Sequence, residues 1–325
     1  MRSSGTARLE VRGLSVTYRT AVPTPAVTDV SFSVGVGESL AIVGESGSGK
    51  SSVARALGGL LRGSADVAWD ELAIDGRSFR PAQLAGPSNP VAGTLLSYVF
   101  QEPKSYLNPS LRIGSQLREI LGTHLGMGRR EATAEAVQLL GDVGIPDGAR
   151  RMADYPHQLS GGLAQRVAIA MAIAPRPVVL VADEPTSALD VTVAARVVAL
   201  LRRLQRARGM SLLHITHNLY LAARSSDRVA VMYAGQLVEV GDAAQVLTDG
   251  RMPYTQGLLA AAPSADGMRE MVPIPGAPPD MRFVGHGCRF RERCPLAADP
   301  CGEDVALRDL GGGHDVRCWR AEGAA

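Results

Sequence analysis

The stretch that most constrains this chain is Gly44-Glu45-Ser46-Gly47-Ser48-Gly49-Lys50-Ser51-Ser52. It follows the apolar run Ser39–Val43 and opens a segment through Leu57 that can be helical. Strand, glycine loop and helix, in that order, form the context a phosphate-binding loop requires. The glycines let backbone N–H groups turn inward around phosphate oxygens, and the helix N-terminus adds partial positive charge. In that role Lys50 reaches the β and γ phosphates of a nucleotide, and the Ser51 hydroxyl sits on Mg²⁺. Lys50 and Lys104 are the only lysines in a chain with 34 basic residues. A compact ammonium kept at this position fits a task that a planar guanidinium would not fill.

The rest of the chain places further candidates at strand and helix ends. Arg8–Val11 and Leu14–Tyr18 alternate as strands, and Tyr18 offers either a stacking face for a base or an ordinary structural ring. Val67–Trp69 and Leu72–Gly76 read as a second antiparallel pair with a turn, and Gln101 follows the short strand Leu95–Phe100. A glutamine there can offer its amide oxygen to a metal ion. Helices are expected over Ile113–Leu125, Arg129–Val143 and Leu163–Ala174. Ser160, with Gly161 and Gly162 behind it, caps the last of these and makes a second anion-binding helix start.

The run Val178–Ala182 is continuously apolar and ends in Asp183 and Glu184. A strand buried on both faces of a parallel sheet reads this way, and its C-terminal edge is where such sheets bind ligands. Asp183 would hold Mg²⁺ and Glu184 would polarise an attacking water. An amphipathic helix over Val193–Arg208 and a strand ending at Thr216 then lead to His217, which can bond a γ-phosphate or simply cap the edge.

Together these residues resemble the ATPase subunit of an ABC transporter. Gly44–Ser51, Gln101, Leu159–Leu163, Asp183–Glu184, Ser187–Asp190 and His217 are similar to its Walker A, Q-loop, signature, Walker B, D-loop and switch histidine. Tyr18 matches the family's adenine-stacking aromatic. Leu163 departs from the glutamine usual in the signature, while Gln165-Arg166 follow as in many peptide-importer subunits. Gln101-Glu102-Pro103, Ser105–Pro109, Pro253–Leu259 and the cysteine-bearing tail are similar to the dipeptide, oligopeptide and nickel importer branch.

The resemblance implies an α/β P-loop NTPase with a RecA-like parallel core, an antiparallel β-subdomain and a helical subdomain at about 105–174. Residues 1–250 would form the ATPase domain and 251–325 a small Cys-rich extension. It further implies ATP and Mg²⁺ as cofactors, the latter held by Ser51, Gln101 and Asp183, with Glu184, His217, Lys50 and Gln101 serving catalysis. The nucleotide would sit between two ATPase subunits, with Ser160, Gly161 and Gly162 facing the partner's ATP. Expected partners are two transmembrane permease subunits, a second and homologous ATPase subunit, and an extracellular solute-binding protein. The solute would be a peptide, with nickel or another small solute as the alternative.

The net charge of +2 and the lack of a long basic run argue against a nucleic-acid partner. The longest apolar stretch, Val167–Ala174, is too short to cross a bilayer. The N-terminus has no apolar core of a signal peptide. The chain therefore reads as cytosolic, and the resemblance implies a peripheral position on the cytoplasmic face of the membrane, reached through a partner.

All four cysteines, Cys288, Cys294, Cys301 and Cys318, fall in the last 38 residues. Clustered cysteines in such a chain point to metal rather than disulfides, and four thiolates suit an iron–sulfur cluster or zinc. Tails like this one in the peptide-importer branch carry a [4Fe–4S] cluster, and the resemblance makes that the expectation, with zinc as the alternative. The proline-rich segment Pro263–Pro279 reads as a tether for a separate module.

Overall fold

The computed structural model describes residues 7–86, 88–186, 190–262 and 271–323. The chain divides into two compact units, Met1–Asn89 with His214–Ala325 and, between them, Pro90–Leu213.

In the first unit, strand β1 (Ala7–Tyr18) buries Leu9, Val11, Leu14 and Val16 on one face. Its apolar alternation breaks at Arg12–Gly13, yet the strand continues. Gly13 adopts φ 63, and the pairing with β2 (Thr24–Gly35) shifts between Val11 and Leu14. Such a bulge absorbs a residue and returns the apolar set to the same face. β3 (Ser39–Val43) is wholly buried and runs into the glycine loop and helix α1 (Lys50–Leu57).

β4 (Ala65–Ala68) and β5 (Glu71–Ile74) do not pair with each other, contrary to the sequence pattern. β4 lies against Ser15–Tyr18 and β5 against Leu9–Arg12, end to end along β1. A strand of 12 residues is long enough to hold both. Asp70 N–H bonds Arg12 O at 2.9 Å, so the connection follows β1 instead of turning back. The turn that does form joins β5 to β6 (Arg77–Ser78). Asp75 and Gly76 there take φ 52 and 74, the two positive values a tight hairpin needs. A short helix, α2 (Pro81–Leu84), follows.

The second unit contains β7 (Leu96–Val99), α3 (Pro103–Tyr106), α4 (Ile113–Leu125), α5 (Arg129–Asp142), α6 (Gly148–Arg151), α7 (Gly161–Ile173), β8 (Val179–Asp183) and α8 (Val191–Arg208). α4, α5 and α7 fall within two residues of their expected bounds, because their apolar residues recur at helical spacing and meet in one core. Leu117, Leu121, Leu139, Val167 and Ala170 are all buried there. β7 and β8 are parallel, with Val99 opposite Ala182. β9 (Ser211–Thr216) begins in this unit and ends in the first.

Back in the first unit come α9 (Leu219–Ser225), β10 (Arg228–Tyr233), β11 (Gln236–Asp242), α10 (Ala243–Thr248), α11 (Pro253–Ala261) and two short tail strands, β12 (Arg308–Asp309) and β13 (Asp315–Val316). The strand order there is β12-β13-β11-β10-β3, with β10 parallel to β3 and the rest antiparallel. The cysteine-bearing tail thus adds strands to the sheet that carries the glycine loop. Phe290, Val316 and Ala321 from the tail share a core with Ala41, Val43 and Val231.

Candidate nucleotide site and cysteine tail

Two glycines in the loop after β3 are required by close backbone approach. A Cβ on Gly44, at φ 155, would lie 2.1 Å from Met232 O. One on Gly49, at φ 102, would lie 2.3 Å from Ala26 O. Both obstacles are main-chain carbonyls inside paired strands, so neither can yield. The loop closes over Lys50, which is 4% exposed. Its Nζ donates to Gly44 O at 2.8 Å, Glu45 O at 2.7 Å and Ser48 Oγ at 3.3 Å. Ser46 and Gly47 are exposed at the tip, and Ser51 is half-buried on the first turn of α1. Tyr18 reaches the same helix, its hydroxyl 3.0 Å from Ser52 Oγ. His217 is exposed just beyond β9, and the neighbouring Asn218 caps α9 by accepting from Leu221 N–H at 2.9 Å.

The second unit carries the remaining candidates. The register of β7 and β8 puts Gln101 and Asp183 at the same edge of that parallel pair. Asp183 is 5% exposed at the end of β8. Its charge adds to burial in pushing the Tyr98 hydroxyl well above its ordinary pKa. Glu184 is half-buried with φ 45, a left-handed conformation that a non-glycine residue seldom takes. Ser160 is exposed and caps α7, its Oγ accepting from Leu163 N–H at 3.4 Å. A Cβ on Gly161 or Gly162 would meet nothing within 4 Å, so both open onto free space. Ser187–Leu189 of the expected D-loop lie outside the described residues, while Asp190 caps α8 by accepting from Val193 N–H at 2.9 Å.

Two residues whose link to the loop the sequence does not reveal bear directly on it. Tyr254, fully buried on α11, accepts the Glu45 N–H at 2.9 Å. Arg293, 7% exposed, binds the Glu45 carboxylate through two nitrogens at 2.7 and 3.0 Å. That carboxylate and the Tyr233 hydroxyl raise the Arg293 pKa above its ordinary value, and burial raises that of Tyr254. The only sequence signals are an arginine at every second position over 289–293 and a tyrosine in the Pro253–Leu259 run.

The four cysteines line one narrow cavity with Arg317 and Trp319. Cys288 N–H donates to Cys301 O at 2.9 Å, and Trp319 Nε1 lies 3.2 Å from Cys301 Sγ. None is in a disulfide. Among the described residues, however, no group of three or more His, Cys, Asp or Glu is placed to hold a metal ion. The expectation of a [4Fe–4S] cluster or of zinc is therefore without geometric support. Burial pushes the Cys288 and Cys294 thiols up, toward the protonated form rather than the thiolate a metal takes.

Two family models match the chain. The ABC transporter family matches residues 27–187, and the oligopeptide/dipeptide transporter C-terminal region matches 238–301. The chain is 42% identical over 314 residues to the oligopeptide transport ATP-binding protein OppD of Haemophilus influenzae, covering 96% of each chain. It is 43% identical over 315 residues to the dipeptide transport ATP-binding protein DppD of Escherichia coli, again covering 96% of each. Among solved structures, the post-hydrolysis dimer of the ATP-binding cassette MJ0796 with ADP and Pi superposes with a TM-score of 0.61. It is 26% identical and covers 72% of this chain and 98% of that one. The mixed α/β fold is accordingly that of a P-loop NTPase cassette, and the chain belongs to the ABC transporter family as an ATP-hydrolysing subunit of the oligopeptide/dipeptide type.

Proposed function

We propose that this subunit hydrolyses ATP to drive peptide import across the cytoplasmic membrane. The observation that carries the reading is the glycine loop folded over a buried Lys50, in a chain whose relatives are named for dipeptide and oligopeptide transport. Lys50 and the loop N–H groups would bind the β and γ phosphates, Tyr18 the adenine, and Ser51, Gln101 and Asp183 the Mg²⁺. Glu184 would orient the attacking water, and His217 would contact the γ-phosphate. Catalysis of this kind is positioning plus electrostatic stabilisation. The exposed Ser160, Gly161 and Gly162 would serve the nucleotide of a second, homologous ATPase subunit.

Coupling to transport requires two permease subunits, and delivery of solute requires a binding protein outside the cell. Among the described residues no helix is long and apolar enough to cross a membrane. Attachment to the cytoplasmic face would come through the permeases. A [4Fe–4S] cluster in the tail is proposed on one ground, the similarity of its four cysteines to those of the peptide-importer branch.

The test is Glu184→Gln in the assembled transporter. ATP binding should be retained while hydrolysis falls about 100- to 10,000-fold, the usual worth of a positioned general base. Undiminished turnover would overturn the assignment.

A further inference from the structure

Glu45 is held from three directions within the first unit. Its N–H is taken by the Tyr254 hydroxyl, its carboxylate by the Arg293 guanidinium, and its carbonyl by Lys50 Nζ. Two of these holders lie outside the loop, on α11 and in the cysteine tail. Arg293 is itself fixed on every side. Its Nε donates to Pro275 O at 2.8 Å and one terminal nitrogen lies 3.3 Å from the Tyr233 hydroxyl. The guanidinium carbon sits 5.7 Å from the centre of the Tyr233 ring and 5.8 Å from that of Phe290. Those two rings and Tyr254 pack on one another with centroids 4.5 to 5.3 Å apart.

We infer that Arg293 and Tyr254 are positioning residues for ATP binding: they hold the Glu45 residue so that its carbonyl aims Lys50. A two-pronged ion pair fixes the orientation of the carboxylate as well as its distance. The Tyr254 bond engages the Glu45 N–H on a protein partner, which leaves the carbonyl side of that residue to Lys50. With the residue pinned from behind, Lys50 can exchange its carbonyl contacts for phosphate oxygens without the loop collapsing. Loosening the pin would let the backbone at Glu45 swing, and the loop would reorder each time a nucleotide bound. Binding that must first order a loop is weaker. The inference rests on the reading of Gly44–Ser52 as the nucleotide site, and it adds the tail to that site's machinery.

The experiment uses the assembled transporter and measures ATPase rate against ATP concentration for Tyr254→Phe, Arg293→Lys and Arg293→Met. Tyr254→Phe removes only a hydroxyl, and Arg293→Lys keeps the charge but not the fork. The KM for ATP should rise about tenfold in Arg293→Met and less in the other two, with kcat within twofold of the parent. Combining Glu45→Gln with Arg293→Met should raise KM no further than the stronger single change, since both break one pair. Thermal unfolding of each variant separates the effect from a loss of fold. An unchanged KM in folded Tyr254→Phe and Arg293→Lys, or additive effects in the double variant, would overturn the inference. A parent transporter that neither binds nor hydrolyses ATP would instead overturn the reading of the site.

Discussion

Glu184 leaves β8 with φ 45, a conformation that costs a non-glycine residue of order 1–3 kcal/mol and persists only where surrounding structure enforces it. Strain of that kind is expected of a side chain aimed for chemistry, and it accords with the role proposed for this carboxylate. His214 presents another residue-scale cost. It is 1% exposed on β9, its Nε2 has no hydrogen-bond partner among the described residues, and burial lowers its pKa from 6.5 to about 4. The folded state therefore prefers neutral imidazole, while the unfolded chain takes up a proton near its ordinary value. The associated stability is complete above about pH 6.5 and declines as pH falls toward 4, by roughly 3 kcal/mol across the interval. Urea unfolding at pH 7 and 4.5 should show this loss in the parent and a smaller one in His214→Asn. Equal losses in the two would refute it. The glycine loop was legible residue by residue because its chemistry is local: nine consecutive positions hold strand end, turn and helix start.

At the scale of elements, periodicity located α4, α5 and α7 because each buries a helical stripe within one core. Pairing was less legible. β4 and β5 look like hairpin partners, but the length of β1 takes both, and alternation says nothing about which neighbour a strand will choose. The tail's attachment is likewise invisible to local pattern. Glu239 on β11 is wholly buried, with His314 Nε2 2.7 Å from one oxygen and the Arg251 and Met252 N–H groups at 2.7 and 3.0 Å. One carboxylate thus pins the entry to α11 and the turn between β12 and β13 onto the same strand. His314→Ala would strip it of one partner and should cost about 1–3 kcal/mol. Thermal denaturation reads the change, and a midpoint equal to the parent's would show the contact to be dispensable.

For the whole molecule, the family was readable from motifs in order, whereas the placement of the tail was not. Pro263–Pro279 reads as a tether, of which 271–279 lie among the described residues without regular structure. Beyond it the chain contributes strands and core residues to the unit that holds the glycine loop. Purified without oxygen, a transporter carrying the proposed cluster should be brown and contain about four iron atoms for each such tail. A colourless, iron-free preparation would argue against the cluster, in line with the burial that pushes the Cys288 and Cys294 thiols up.

The clasp between Glu45 and Arg293 also has a meaning in time. The two residues lie 248 positions apart in the chain. At a synthesis rate of about 5–20 residues per second, Glu45 exists for roughly 10–50 s before its partner is made. During that interval β3 also lacks β10, the strand it pairs with, and the bond that fixes Glu45 is completed later still. If Arg293 positions the loop as inferred, the nascent subunit would gain its full affinity for ATP only when the tail arrives.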